Sequence, residues 1–413
     1  MEAAEKTTDS LWHRLGDAAA SRVKLLYAAI FILTGDVVAV ATWLYLGTRE
    51  ELLRNTIVAL VCAGVIIFLL ADARERGGFS YDNGRRPLRF FCGYVVALIL
   101  CVCLPLISPE AWPYLPVYVA LGLFSNERIG LFSGAMLTGI SVLLEEQGSV
   151  SELLLYIILG AVALTLLSEL TETTHIGPAV FICASLMSVL LVAFDILFRN
   201  RTLSLTLFVI PAVNVVVSLI LLLILLNMFG VYVIRGSNDR YMDINDTEYP
   251  LLARLKTGNK EEFYRAIHTA YLAERIALDL GLNDRAVKTM AYYHRIGVLD
   301  NKKTWEEVEP YFVDHRFPEE AIAYLKEYIE ARPGERRSKE FTIIYLCETL
   351  IASIMYLFKS DRDKKLNVEE LIDKIFANKL KDPEFHNNDI SLYELDRMKE
   401  LMKKEKLYYD FLR

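Results

Sequence analysis

Residues 264–299 read YRAIHTAYLAERIALDLGLNDRAVKTMAYYHRIGVL. Ala266, Thr269/Ala270, Ala273, Ile276/Ala277 and Leu280 recur at the three-and-four spacing of an amphipathic helix, and Gly281 predicts its end. A second helix is expected behind Asn283 or Asp284, burying Ala286, Val287, Met290 and Ala291 and delivering His294-Arg295 just ahead of Gly297. This helical pair is the feature around which the C-terminal part of the chain is organised.

The whole chain of 413 residues is 54% hydrophobic, and its mean hydropathy of +0.31 is too apolar for an ordinary soluble protein. Its last two fifths are nevertheless dense in charge, so two unlike halves follow. A net charge of −7 argues against nucleic acid as a partner, which calls for a basic patch or stripe. Cys62, Cys92, Cys101, Cys103 and Cys183 sit in apolar runs and Cys347 in the C-terminal half, without a disulfide framework or zinc spacing. The CxC at 101–103 reads as small apolar side chains.

The leading residues, including Trp12 and Arg14, form a polar or amphipathic segment with no small-residue cleavage site, so no secretory signal peptide is predicted. Apolar runs follow at 23–47, 55–72, 87–108, 110–125, 129–145, 151–168, 176–197 and 203–234. A bilayer core takes roughly twenty apolar residues in a helix, and eight spans are expected, the three between 110 and 168 being short. Arg14, Arg22 and Lys24 before the first span, and Arg74, Arg76, Arg85, Arg86 and Arg89 between the second and third, place both segments in the cytoplasm. Eight spans then return the C-terminal half to the cytoplasm, with Arg199 and Arg201 as the local exception. Asp36 and Asp195 are the ionisable residues inside spans, and for Asp36 the expected role is interhelical hydrogen bonding, the alternative being a ligand or proton role. Glu145 and Glu146 fall at a wetted span end. Pro211 and Asn214 are expected to loosen the last span.

The expected organisation is all-α: a membrane domain over 1–234, a polar linker over 235–250 and a helical domain over 251–413. In the last part Ser338 and Glu340 are placed to start a helix whose buried stripe is Ile343, Ile344, Cys347, Leu350, Ile351 and Ile354. Arg332, Arg336 and Arg337 make a basic, solvated turn before it. Two further helices are expected, the second capped near Asp389 or Ser391. Metal-assisted phosphodiester hydrolysis needs clustered imidazoles and carboxylates that convert bound water to hydroxide near neutral pH. The C-terminal half has histidines only at 268, 294, 315 and 386, and no two share a helix face.

From Leu272-Ala273-Glu274 to Ala291-Tyr292-Tyr293-His294 the chain resembles, without a gap, the opening of an HD-type metal-dependent phosphohydrolase domain. The nearer likeness is to the seven-transmembrane HD family, the PgpH-like cyclic di-AMP phosphodiesterases. MDINDTEYPLLARL (242–255) is similar to that family's approach from its last span, ARPGERRSKEF (331–341) to its turn and following helix, and AWPYLPVYVALGLFSNERIGLFSGAMLTGI (111–140) to its middle spans. The family carries a large extracellular sensor after its first span. Here that link is only about Gly47 to Asn55, so the sensor is expected to be absent.

The resemblance implies a site for two divalent ions and shows where its ligands have changed. Arg265 stands at the family's first histidine, Arg295 at the aspartate of its HD doublet, Tyr328-Ile329 at its paired histidines and Glu348 at its last aspartate. Val298 replaces its lysine, His315 matches a variable position, and His268 lies three residues late. His294 is retained. A guanidinium has no lone pair to give and is never deprotonated, and a fixed cation a few ångströms from a divalent ion costs roughly several kcal/mol even at an effective dielectric of about 20. No metal site is therefore expected, and Arg265 or Arg295 should pair with Glu348. The sharper alternative has Arg265 and Arg295 binding a phosphate-bearing ligand.

The function these residues imply is that of a membrane-anchored, degenerate HD protein, non-catalytic, acting as a signalling or regulatory module that binds a nucleotide or a partner. The other reading is an active metal-dependent phosphohydrolase built on His294, Glu348 and His315. Implied partners are the lipid bilayer, a cyclic dinucleotide, and homo- or hetero-oligomers with related HD membrane proteins. The expected location is a bacterial-type cell membrane, multi-pass, with both termini cytoplasmic.

Overall fold

The computed structural model describes residues 2–76, 78–145, 148–167, 170, 176–199, 206–360 and 367–405, with side chains from Ser21 onward. The side chains of Trp12, Arg14, Glu146, Arg199 and Arg201 lie outside that description. The chain divides into two compact units, Met1–Arg235 and Gly236–Arg413. Among the described residues the structure is helical, with one isolated bridge between Arg337 and Asn388 as its only β-type pairing.

Unit 1 contains α1 (Glu2–Tyr45), α2 (Arg49–Glu75), α3 (Pro87–Cys103), α4 (Tyr114–Leu123), α5 (Glu127–Leu144), α6 (Val150–Leu167), α7 (Ile176–Arg199) and α8 (Thr206–Phe229). All but α4 are long and apolar enough to cross a membrane. The stretch 110–125, expected as one of the short spans, is shorter still as a helix: α4 has ten residues, where a span needs about twenty. Pro105, Pro109 and Pro113 are the reason, since proline lacks the N–H that a helix interior requires. They confine the preceding chain to short 3₁₀ turns at Leu104–Leu106 and Pro109–Ala111.

The turns complete the crossing that α4 alone cannot make. At one end of the unit Trp112 Nε1 donates to the Leu104 carbonyl at 2.8 Å, and Tyr45 donates to the Val102 carbonyl at 2.8 Å. At the opposite end Ser80 N–H donates to the Ser125 carbonyl at 2.8 Å, Asn126 Nδ2 to the Gly78 carbonyl at 2.7 Å, and Leu170 N–H to the Tyr81 hydroxyl. Tyr81 also meets Phe229 edge to face at 4.9 Å. The chain thus traverses unit 1 eight times, and the start of α1, the basic α2–α3 loop and the end of α8 share one end.

Small residues let α4 sit buried between α5 and α6. A methyl placed on Gly134 or Gly160 would fall within 2.5 Å of the Tyr118 ring, and Tyr118 reaches Thr138 at 3.1 Å through its hydroxyl. Gly130 lies against the backbone of Gly122, where a methyl would come within 2.4 Å of its Cα. Asn214 of α8, expected to loosen that helix, instead fastens it to α4's approach by donating to the carbonyls of Glu110 at 2.7 Å and Trp112 at 3.1 Å.

The expected linker 235–250 is largely helical. After a π-helical turn at Gly230–Arg235 the chain forms α9 (Gly236–Ile244), whose Tyr241 and Ile244 belong to the core of unit 2. There follow α10 (Pro250–Gly258), α11 (Lys260–Asp279), α12 (Asp284–Tyr293), α13 (Trp305–Asp314), α14 (Glu319–Glu330), α15 (Lys339–Ser360), α16 (Val368–Lys379) and α17 (Leu392–Lys404). Length and apolarity would also let Lys339–Lys359 cross a membrane. It is instead the central helix of unit 2, with Ile343, Ile344, Cys347, Leu350, Ile351 and Ile354 buried as the periodicity predicts.

Helix α11 buries the alanine-rich stripe read from its sequence and packs on α12 and α15. Gly281, at φ +71°, ends the turn after it, and Asn283 caps α12 by accepting from Ala286 N–H at 3.1 Å. Ser338 caps α15, and Ser391 and Glu394 form a capping box on α17.

Gly130→Ala should lower the stability of the full chain in detergent by about 1–3 kcal/mol, because backbone cannot yield to the added methyl. Gly64→Ala, where a methyl meets nothing within 4 Å, should leave the thermal midpoint unchanged.

Candidate functional site

His294 is the C-cap of α12 and Arg295 follows it, so the end of that helix throws two polar side chains into the space between α11, α14 and α15. The close return of the chain after Arg295 depends on Gly297, where a methyl would lie 2.4 Å from the Lys302 carbonyl oxygen. Glu348 lies midway along α15, and the Arg295 guanidinium reaches it with Nη1 at 2.8 Å. The other edge of Arg295, Nε, stands 3.1 Å from Glu262 of α11. Of the two pairings expected for Glu348, Arg295 makes it; Arg265 instead pairs with Glu262 at 3.3 Å, one turn back on its own helix.

Glu348 has further partners. Tyr328 of α14 donates its hydroxyl to Oε2, and His294 Nε2 stands 3.4 Å from the same oxygen. His294 Nδ1 lies 2.9 Å from the Ala291 carbonyl, which can only accept, so this nitrogen carries the proton and Nε2 faces the pocket. The imidazole is fully buried and packs edge to face on Tyr328 at 5.0 Å. Burial by itself would raise the Glu348 carboxyl, but His294, Tyr328 and Arg295 together outweigh it and hold the group well below the usual carboxylate range. Burial first, then the Glu348 carboxylate, pushes the Tyr328 phenol up.

The remaining predicted positions are placed elsewhere. Ile329 packs against the hydrophobic core of unit 2. His315 meets Tyr249, with Nδ1 3.1 Å from its hydroxyl. His268 lies along α11, stacked on Tyr264 at 6.4 Å, and burial lowers its pKa. Val298 is exposed. The basic turn is solvated at Arg332 and Arg336, as expected, with Arg336 pairing at the surface with Asp389 at 2.9 Å, while Arg337 lies over the Phe341 ring at 4.8 Å.

Glu262 is the functional residue that sequence reasoning missed. Its signal was local, a glutamate three residues before Arg265 in the first turn of a helix, a spacing at which the two side chains meet. It joins Arg265 and Arg295 through one carboxylate, so two guanidinium groups and two carboxylates balance in charge. Among the described residues no three His, Cys, Asp or Glu side chains form a group able to hold a metal ion. In unit 1, Asp195 is buried and lines a small cavity with Glu110 and Glu152. Asp36, expected to make an interhelical hydrogen bond, faces outward from the unit.

No family profile matches the chain, and no curated protein is similar to it. Among solved structures the chain is similar to the crystal structure of the HD domain of the L. monocytogenes phosphodiesterase PgpH, at 17% identity and a TM-score of 0.30, over 39% of this chain and 100% of that one.

Arg295→Ala should destabilise unit 2 by about 2 kcal/mol. That is less than the 3–5 kcal/mol of a fully buried broken pair, because the arginine side chain is 37% exposed. Glu348 titrates lower in the folded chain than in the unfolded one, so its contribution is full above the ordinary glutamate value of about 4.3 and declines as the pH falls below it. The difference in thermal midpoint between wild type and Glu348→Gln should accordingly be largest near neutrality and shrink in acid.

Proposed function

We propose that this protein is a multi-pass membrane protein whose second unit is a degenerate HD domain, non-catalytic and serving as a regulatory module. The observation that carries the reading is Arg295, held between Glu348 and Glu262 at the place where the resemblance puts a metal-binding aspartate. A guanidinium in that position supplies hydrogen-bond donors and a fixed charge but no ligand. It links α11, the end of α12 and α15, the work a bridging metal would do. Of the family's set His294 keeps an imidazole and Glu348 a carboxylate, while Tyr328 and Arg265 stand where further imidazoles would be needed.

Both arginines are turned toward carboxylates, which favours a role in holding the bundle together over one in capturing phosphate. The module then acts by the surface that the bundle presents to a partner, including an active relative in the same membrane. The end of unit 1 that carries Arg74, Arg76, Arg85, Arg86 and Arg89 is the cytoplasmic one by the distribution of basic residues.

The full chain, purified from manganese- and iron-supplemented cells, should carry neither metal in stoichiometric amount and should not hydrolyse cyclic di-AMP. Either metal at one equivalent, or turnover abolished by His294→Ala, would establish the enzyme reading instead. Calorimetric titration with cyclic di-AMP to millimolar concentration should give no heat. Binding lost in Arg265→Gln would transfer that arginine to a nucleotide site.

A further inference from the structure

Helix α1 holds unit 1 by one face. Thr34 meets the Tyr94 hydroxyl of α3 at 2.8 Å, and Gly35 lets α1 close on Leu60 of α2, where an added methyl would be 2.8 Å from its side chain. The opposite face carries Leu25, Ala29, Ile32, Asp36, Ala39 and Trp43, which follow one another at steps of four, three, four, three and four residues. Leu25, Ile32, Asp36 and Trp43 are exposed, and the two alanines are half-exposed. That alternation is the seam of a left-handed helix pair, and alanines within it allow backbones to approach.

Asp36 is the anomaly on this seam. It lies nine residues before Tyr45 and fifteen after Ser21, the limits of the span, or about 14 Å and about 22 Å at a helical rise of 1.5 Å. Its carboxyl is therefore well inside a hydrocarbon layer about 30 Å thick. No described residue gives it a hydrogen bond or an ion pair, so as a monomer the chain presents a bare carboxyl to lipid tails, where ionisable groups are costly.

A second copy of the chain can supply the missing partner, and the symmetric pairing of α1 with itself does so without a cation. Every Lys and Arg of the described spans of unit 1 stands near a span end, as Arg22, Arg54, Arg74, Arg89 and Arg128 do. No cation is therefore available at the depth of Asp36. Two identical chains share one orientation in the bilayer, and a two-fold axis places each residue of the seam opposite itself. A carboxyl group is self-complementary in that setting, because its protonated form donates to an oxygen of the other.

We propose that α1 forms the interface of a parallel homodimer, with Leu25, Ala29, Ile32, Ala39 and Trp43 as its apolar seam and the two Asp36 side chains hydrogen-bonded across the axis. A single polar position in such a seam sets register as well as partner.

The test uses the full chain in liposomes over a range of protein-to-lipid ratios, with the dimer fraction read by two-colour single-molecule photobleaching. Wild type should dimerise, and Asp36→Asn, which keeps a donor and an acceptor, should stay within about twofold of it. Asp36→Leu should weaken dimerisation by about tenfold although it makes the span more apolar, whereas Phe31→Leu, off the seam, should have no effect. Oxidation should cross-link Ile32→Cys chains in pairs and leave Phe31→Cys at the wild-type background. A wild type that is monomeric at every ratio would overturn the proposal and assign Asp36 to a different membrane partner. Undiminished dimers of Asp36→Leu, or cross-linking through position 31 in place of 32, would also overturn it.

Discussion

The Glu348 carboxylate is the constraint that the second unit is built around. A buried carboxylate is tolerated only when its charge is matched and its oxygens are hydrogen-bonded. Here the groups gathered around it come from two elements: Arg295 and His294 from the end of α12, and Tyr328 from α14. Arg295 also carries the network on to Glu262 and thence to Arg265. Two carboxylates, Glu348 and Glu262, thereby tie together four helical segments, α11, α12, α14 and α15. Such a network defines a unique arrangement through direction, which burial of apolar area cannot do.

The same consideration underlies the proposal that this constellation is not hydrolytic. Catalysis through metal ions requires donors that offer lone pairs and an open coordination position. The arrangement around Glu348 offers guanidinium and phenol protons instead, and these are already spent on carboxylate oxygens. In the proposed reading arginine stands where the resemblance puts an aspartate, and the helices still converge because an ion pair can cross-link helices as a shared cation would. The shape of the bundle and the chemistry of its centre are therefore separable properties of the chain.

Unit 1 is governed by close approach rather than by charge. Tyr118 lies against two glycines and α4 is sandwiched where Gly122 and Gly130 meet, so the short helix is positioned by the absence of side chains on its neighbours. In hydrocarbon there is little hydrophobic drive to bring helices together, and contact at short range supplies it. The prolines that shorten α4 leave carbonyls without helical donors, and the Trp112 indole N–H and the Asn214 amide satisfy several of them. Asp36 belongs to the same logic by contrast, a polar group on the outer side with no hydrogen bond or ion pair among the described residues.

Periodicity and local chemistry determined much of this protein by themselves. The alanine stripe of α11, the caps at Asn283, Ser338 and Ser391, the buried stripe of α15 and the runs of apolar residues in the first half are all readable residue by residue, because each is set by side chains within one or two helical turns. That Arg295 cannot serve as a metal ligand was legible for the same reason, since what a guanidinium cannot do is a property of the group. Tertiary structure alone decided the rest. It chose Arg295 over Arg265 as the partner of Glu348, brought in Glu262, turned Asn214 from a source of looseness into a tie, and set Asp36 on the outer face of α1. Those outcomes depend on which helices lie side by side and at what rotation, and a hydropathy pattern carries neither quantity.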